Sequence, residues 1–354
     1  MNRIPDLSLK RDVALQFDRR ALLLALTSAV TWPARLFAQA RAERQVLVFY
    51  YGWYGTVARS GENSHWLTPD TQTEKIADAP DYPVGGPYDS LDPAVIDRQM
   101  RQIKAAGITG LIASWWGRGD RTDRQFPLLL DAAARYGLKV CPYIEQAQTI
   151  ESVAADVLYL HGRYGRHAAW LPLDGRPVVI FFDRLMQTLG ADGWKQARAR
   201  IEKQAPDALR FIGTANTVEE IAARKPVFDA LHIYSMQFEA AERRWLPAVW
   251  RTQFYKAWVA AQAGAKVTTA TVLPGFDDRL LPNRLKKRPV IKRGNGTPFR
   301  QLWTAAIAAQ PDWIFIVSFN EWHEASQIEP STAFGTRELD TCREMSALFR
   351  AAKY

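Results

Sequence analysis

Eight short apolar runs, each rich in β-branched or aromatic residues, recur along this chain with longer stretches of helical period between them. They read "QVLVFYY" (45–51), "ITGLIAS" (108–114), "LKVCPYI" (138–144), "PVVIFF" (177–182), "RFIGTA" (210–215), "FDALHIYS" (228–235), "KVTTATVL" (266–273) and "WIFIVSF" (313–319). Such alternation argues for a parallel sheet, because parallel neighbours need a crossover and a helix supplies it compactly. The stretch "PAVIDRQMRQIKAAG" (93–107) opens near Pro93 and ends on Gly107, residues suited to helix entry and exit. "DRQFPLLLDAAARYG", "IESVAADVLYLHGRYG", "ADGWKQARARIEKQA", "RTQFYKAWVAAQAG" and "PFRQLWTAAIAAQ" are also amphipathic, whereas "NTVEEIAARKPV" between runs five and six has room for only a short helix. Eight strands with intervening helices predict an α/β fold, a single (β/α)8 TIM barrel, with a doubly wound open sheet as the alternative.

The barrel accounts for residues 41–354, which no linker composition or internal repeat divides. Residues 1–40 read as an export signal peptide: a polar stretch ending in "FDRR", the apolar "ALLLALTSAV", then "ARLFAQA" with Ala38 and Ala40 placed for an A-x-A cut. The apolar run is too short for a membrane span. Arg19 and Arg20 resemble a twin-arginine signal, although Asp18 stands where that motif usually has Ser or Thr. The expectation is a bacterial protein, periplasmic or secreted, with no stable membrane insertion once the signal is removed. Residues 1–40 carry six basic and three acidic side chains, so +6 of the formal +9 belongs to the remainder. That mild excess comes with no nucleic-acid-binding motif, and nucleic acid is not an expected partner. Two cysteines, Cys141 in a predicted strand and Cys342 in a predicted helix, indicate neither a disulfide framework nor a metal site. A monomer is expected.

Active sites of such barrels lie at the carboxyl ends of the strands. Here those ends read "YYGWYG", "SWWG", "YIEQ", "IYS", "LPGFDD" and "SFNEWHE", so aromatic and acidic groups gather at one end of the sheet. The chain's 13 Trp, 12 Tyr and 16 Phe exceed the needs of a core this size, and exposed Trp and Tyr commonly serve recognition, with sugar rings as natural partners. Glu321 and Glu324 are three apart, so a helical turn would set both on one side. Desolvation by Trp322 and mutual repulsion would then raise one pKa, giving a protonated acid beside an ionised base, as in glycoside hydrolysis. The alternative is a solvated helix start, where the dipole favours acids. His323 and Glu324 do not make a zincin, since the sequence continues "HEASQ" without the second histidine. No metal is expected from the scattered histidines 65, 161, 167, 232 and 323. There is no G-x-S-x-G elbow, Walker loop or Rossmann fingerprint, and hydrolysis by two carboxylates needs no cofactor.

Taken in order, "YYGWYG", "SHW", "GPYDSLDPAVIDRQMRQIKAAGITGLIASWW", "LKVCPYIE", "YLHGRYGRHAAW", "TVLPGFDD" and above all "SFNEWHEASQIEP" resemble glycoside hydrolase family 99, the endo-α-mannosidases and their bacterial relatives. The resemblance spans residues 46–330. It implies a (β/α)8 barrel with retaining catalysis on α-mannosides by the two glutamates of E-W-H-E. Glu324 would be the general acid that later activates water. Glu321 would be the base on the sugar 2-hydroxyl, passing through a 1,2-anhydro sugar; spacing alone does not distinguish this from a carboxylate nucleophile. Glu145 would bind a sugar hydroxyl, or else form a structural salt bridge. Tyr51, Trp53, Tyr54, His65, Trp66, Trp116 and Tyr234 fall where the family lines its groove, with core packing as the alternative for each. Asn320 would orient Glu321, His323 would contact substrate, and Glu329 would fix the loop at the rim. After E-W-H-E this chain has Ala325 and Ser326 where the family often has Gly and Thr. The loop "DDRLLPNRLKKRPVIKRGNG" carries seven Lys or Arg from Arg279 to Arg293, which suits an anionic polysaccharide or a solvated surface. The expected partner is therefore an oligosaccharide or polysaccharide, with a non-catalytic polysaccharide-binding or glycan-assembly protein as the rival reading.

Overall fold

The computed structural model describes residues 42–242, 248–281 and 289–352. The segment read as an export signal, residues 1–40, and most of the basic loop, 284–288, lie outside them. Eight parallel strands form the sheet: β1 (Gln45–Tyr50), β2 (Gly110–Trp115), β3 (Lys139–Ile144), β4 (Arg176–Phe181), β5 (Arg210–Thr214), β6 (Ala230–His232), β7 (Thr269–Val272) and β8 (Trp313–Ile316). Their order is β6-β5-β4-β3-β2-β1-β8-β7, with helices between them. This is the predicted TIM barrel. It is nearly closed: β6 and β7 complete the circle through the Thr269 hydroxyl on the Leu231 carbonyl (2.7 Å) and the Lys266 amide on the Asp229 carbonyl (2.7 Å).

The strands are buried on both faces, which is why they read as continuous apolar runs. Inside the barrel Phe49 packs edge-on against Tyr143 (4.9 Å) and Tyr234 (5.0 Å), with Phe315 at 6.0 Å. His232 belongs to this core; its Nδ1 bonds the Gly213 carbonyl at 2.9 Å. Outside, Pro93–Ala105 starts as predicted at Pro93, capped by the Asp92 side chain on the Ala94 amide. Val218–Arg224 is the short helix that run five to six allows. Asp183–Gln204 begins earlier than its amphipathic pattern and bends at Gly190, whose φ of 61° a side chain would resist. Cys141 and Cys342 are separate, buried, free thiols. Among the described residues no helix is long and apolar enough to cross a membrane.

Strands six, seven and eight are shorter than their apolar runs. The extra residues leave the ladder to build the barrel mouth. Beyond β8 the Ser318 amide turns to the Ser326 carbonyl (2.9 Å), and the Phe319 amide bonds Phe49 (2.7 Å). Beyond β1 the backbone at Gly52 passes so close to Gln125 that a Cβ would lie 1.6 Å from its Oε1.

Candidate active site

After β8 the chain makes a clasped turn. The Ser318 hydroxyl accepts from the Glu321 amide (2.8 Å) and meets the Ser326 hydroxyl (3.0 Å), while the Ser326 amide returns to the Glu321 carbonyl (3.3 Å). Arg293, buried and paired with Glu338 at 3.5 Å, donates to the Ala325 carbonyl (2.7 Å) and to Gln327 Oε1 (2.9 Å). The Asp277 amide holds the Glu324 carbonyl at 2.8 Å. The turn sorts its side chains into two sets, with Glu321, His323 and Glu324 on a cleft and Asn320 and Trp322 behind it.

The back wall is a hydrogen-bonded scaffold. The Asn320 amide group accepts from Tyr51 N and donates to Tyr51 O, both at 2.8 Å. Asn320 and the Trp322 indole also donate to the Tyr88 hydroxyl, at 3.1 and 3.3 Å. Tyr88 donates in turn to Glu329 (2.7 Å), whose other oxygen accepts from Gln99 at 2.9 Å. Glu329 is thus buried beneath the motif and not at a rim, and burial raises its pKa above the usual carboxylate range. Tyr54 stacks on Trp66 (4.0 Å) and bonds the Asn320 carbonyl (2.8 Å), and Trp66 donates to the Tyr88 carbonyl (2.7 Å).

The cleft encloses about 680 Å³. On it stand Tyr51, Trp53, His65, Trp116, Glu145, Tyr234, Glu321, His323 and Glu324. Tyr54 and Trp66, expected on the groove, and Asn320, expected to orient Glu321, stand behind its wall because their polar ends are committed to backbone groups there. Trp322 likewise supplies none of the lining; the aromatic walls are Trp53, stacked on His65 at 4.4 Å, and Trp116, 5.8 Å from Trp53. Asp78, Phe182, Arg184, Gln187 and Gln237 line the cleft without having been anticipated. A strand-end test extended to "FFDR" after β4 finds Phe182 and Arg184; Asp78 lies in an irregular loop with no such signal.

The three charged groups of the motif have distinct surroundings. Glu321 Oε1 accepts from the His323 amide (3.1 Å) and from His323 Nδ1 (3.0 Å). His323 Nε2 donates to the His65 carbonyl at 2.8 Å and lies 3.3 Å from Asp78. A carbonyl only accepts, so Nε2 carries a proton, and the ring between two carboxylates is an imidazolium. Burial opposes that charge, but the bonds to Asp78 and Glu321 outweigh it and lift the pKa to about 10. Glu324, half-buried, accepts from the Tyr234 hydroxyl at 3.1 Å, which leaves Tyr51 as the donor in the 2.6 Å Tyr51–Tyr234 bond.

Glu145 accepts from Ser114 (2.8 Å), whose hydroxyl is also met by the Trp116 indole (3.0 Å). Burial pushes its pKa up to about 8, against the opposing pull of the Ser114 bond and of Arg184. The folded protein therefore retains a proton that the unfolded chain loses near the ordinary value of 4.5. This contribution to stability is complete below that value and is lost as pH rises through about 8. Calorimetry between those limits should show a fall in Tm that Glu145→Gln flattens, with the variant gaining on the parent at the alkaline end. An equally steep fall in the variant would contradict the assignment.

The basic loop contributes less free charge than its composition suggests. Arg279 forks onto Asp277 at 2.8 and 2.7 Å, and Arg293 is the buried clamp on the turn. Among the described residues no group of three or more His, Cys, Asp or Glu side chains is arranged to hold a metal ion.

The sequence profile of Glycosyl hydrolase family 99 matches residues 42–342. The chain belongs to this family. It is 28% identical over 331 residues to a glycoprotein endo-alpha-1,2-mannosidase of Xenopus laevis, covering 82% of this chain and 71% of that one. The rat enzyme of the same name is 27% identical over 336 residues, with 83% and 70% covered. Among solved structures, a GH99 endo-alpha-mannosidase from Bacteroides thetaiotaomicron in complex with bis-tris-propane superposes with a TM-score of 0.73 at 28% identity, covering 86% of this chain and 97% of that one. A second structure of that enzyme gives 0.71 at 26% identity, with the same coverage. This family 99 protein is a glycoside hydrolase.

Proposed function

We propose that this hydrolase cuts within α-linked, mannose-like glycans, a bacterial exopolysaccharide included, with retention of anomeric configuration. Glu324 is the acid and Glu321 the base. The observation that carries the reading is the placement of both glutamates on one aromatic-walled cleft with different partners, a phenol on Glu324 and an imidazolium on Glu321. The relatives named as endo-α-1,2-mannosidases support the substrate class.

In the first step Glu321 takes the proton of the sugar 2-hydroxyl, the 2-oxygen bonds to C1, and the glycosidic C1–O bond breaks as Glu324 protonates the leaving oxygen. Oε1 of Glu321 already accepts two hydrogen bonds, so the proton arrives at Oε2. In the second step Glu324 deprotonates a water that opens the 1,2-anhydro ring at C1, and Glu321 returns its proton to the 2-oxygen. Two inversions at C1 give net retention. The aromatic faces of Trp53 and Trp116 suit pyranose stacking, and the Glu145 carboxyl suits a sugar hydroxyl.

Residues 1–40 suit an exported protein that meets such polysaccharides outside the cytoplasm. Purified protein should release new reducing ends from internal linkages of α-mannan or exopolysaccharide, with the α-anomer first by NMR. Capture without cleavage would favour a binding protein, and a first-formed β-anomer would exclude the two-step route.

A further inference from the structure

The cleft is bordered by Asp78, Glu145, Glu321 and Glu324, and the charge of His323 is absorbed by Glu321 and Asp78. Among the described residues one other cation lines it: Arg184, the second residue of the helix beyond β4. Its guanidinium lies over the ring of Trp116 at 5.4 Å and over that of Phe182 at 5.5 Å. Stacking occupies the faces of the guanidinium and leaves its N–H edges open. Among the described residues no carboxylate takes those edges. Asp183, next in sequence, is already held by Arg224 (3.2 Å) and Gln187 (2.8 Å). Glu145 accepts from Ser114 and forms no ion pair with the arginine, and burial pushes its pKa up to about 8. By contrast Arg118, Arg121 and Arg279 each hold an aspartate.

An exposed arginine on an aromatic platform, facing a cleft and without an anion of its own, is arranged to receive one from a ligand. We propose that Arg184 is a specificity-determining residue that binds an acidic group, carboxylate, phosphate or sulfate, on a sugar lying beside Trp116. An acidic group elsewhere on the lining would face Asp78, Glu321 or Glu324, so the recognition is confined to the Arg184 side. This rests on the glycan-cleaving reading of the same cleft and narrows its substrate class. The anionic preference raised by the basic loop thus finds its described donor beyond β4 instead.

The test uses an α-mannan oligosaccharide bearing glucuronic acid and its carboxyl-reduced counterpart, with phosphorylated and sulfated α-mannan oligosaccharides as separate arms. The full-length protein should favour one acidic form over the neutral one by about tenfold to a hundredfold in kcat/KM, the range of a charge-assisted hydrogen bond. Arg184→Gln should bring that ratio to about one and Arg184→Lys should keep part of it, because lysine retains the charge without the fork. The same ratios measured by calorimetry in a Glu324→Gln background report binding without turnover, so a failure of cleavage is told apart from a failure of recognition. Equal binding of acidic and neutral forms, a preference that survives Arg184→Gln, or no binding of any acidic form overturns the proposal.

Discussion

Glu324→Gln is expected to lower turnover of an α-mannoside with a poor leaving group by about 10² to 10⁴-fold, the span attributed to a positioned general acid. Binding should change little. The amide keeps the shape of the carboxyl, and its oxygen still accepts from Tyr234, which sits 3.1 Å from Glu324 Oε2 in the parent. The surrounding backbone is held independently of the side chain, by Arg293 on the Ala325 carbonyl and by the Asp277 amide on the Glu324 carbonyl. The diagnostic is the leaving group: a glycosyl fluoride needs no proton to depart, so its single-turnover bond cleavage should recover toward the parent rate. Unchanged turnover of the poor substrate, or a loss that ignores the leaving group, removes Glu324 from the acid role.

The barrel was legible because its determinants are local: apolar runs rich in β-branched and aromatic residues, a Pro at a helix start such as Pro93, and a Gly at a helix end such as Gly107. What closes the barrel was not, since the Thr269 hydroxyl on Leu231 joins strands with no common sequence signal. At the site, the strand ends named eight of the residues found on the cleft and the family resemblance added His65, while Tyr54, Trp66 and Asn320 stand behind it. Tyr54 and Tyr234 both follow a strand end, and nothing in their neighbouring residues says which walls the groove and which braces it from behind. They differ in where the hydroxyl finds its partner, here the Asn320 carbonyl for Tyr54 and Glu324 for Tyr234.

Charge was misleading for a related reason. Arg293 reads as one member of a basic surface loop, yet Glu338 of the C-terminal helix meets it in the interior and makes it a brace for the turn after β8. Arg184 carries no such cluster around it in sequence and is nevertheless, among the described residues, the cation left open on the cleft. Proximity of like residue types along a chain says little about which charges the fold neutralises. That depends on which helix ends and loops converge, and convergence is a property of the closed barrel.

Glu321→Gln should lose activity by a similar 10² to 10⁴-fold, but independently of the leaving group. A glutamine at this position can still accept from the His323 amide and imidazolium, which lie 3.1 and 3.0 Å from Oε1 in the parent, so the turn should survive. It cannot accept the 2-hydroxyl proton, and that transfer accompanies bond cleavage whatever the leaving group. A glycosyl fluoride should therefore fail to rescue this variant where it rescues Glu324→Gln. A second measurement separates a base from a carboxylate nucleophile, the alternative that spacing left open. An activated 2-deoxy-2-fluoro substrate lacks the hydroxyl, so the parent protein should neither turn it over nor gain mass in intact-protein mass spectrometry. A glycosyl adduct on Glu321 would make that residue the nucleophile. With Oε1 tied by two donors, one of them the charged His323 ring pinned by Asp78 and the His65 carbonyl, Glu321 retains a single oxygen for substrate, which would take and return a proton as a base or carry the glycosyl group as a nucleophile, and the fluoro substrate separates the two.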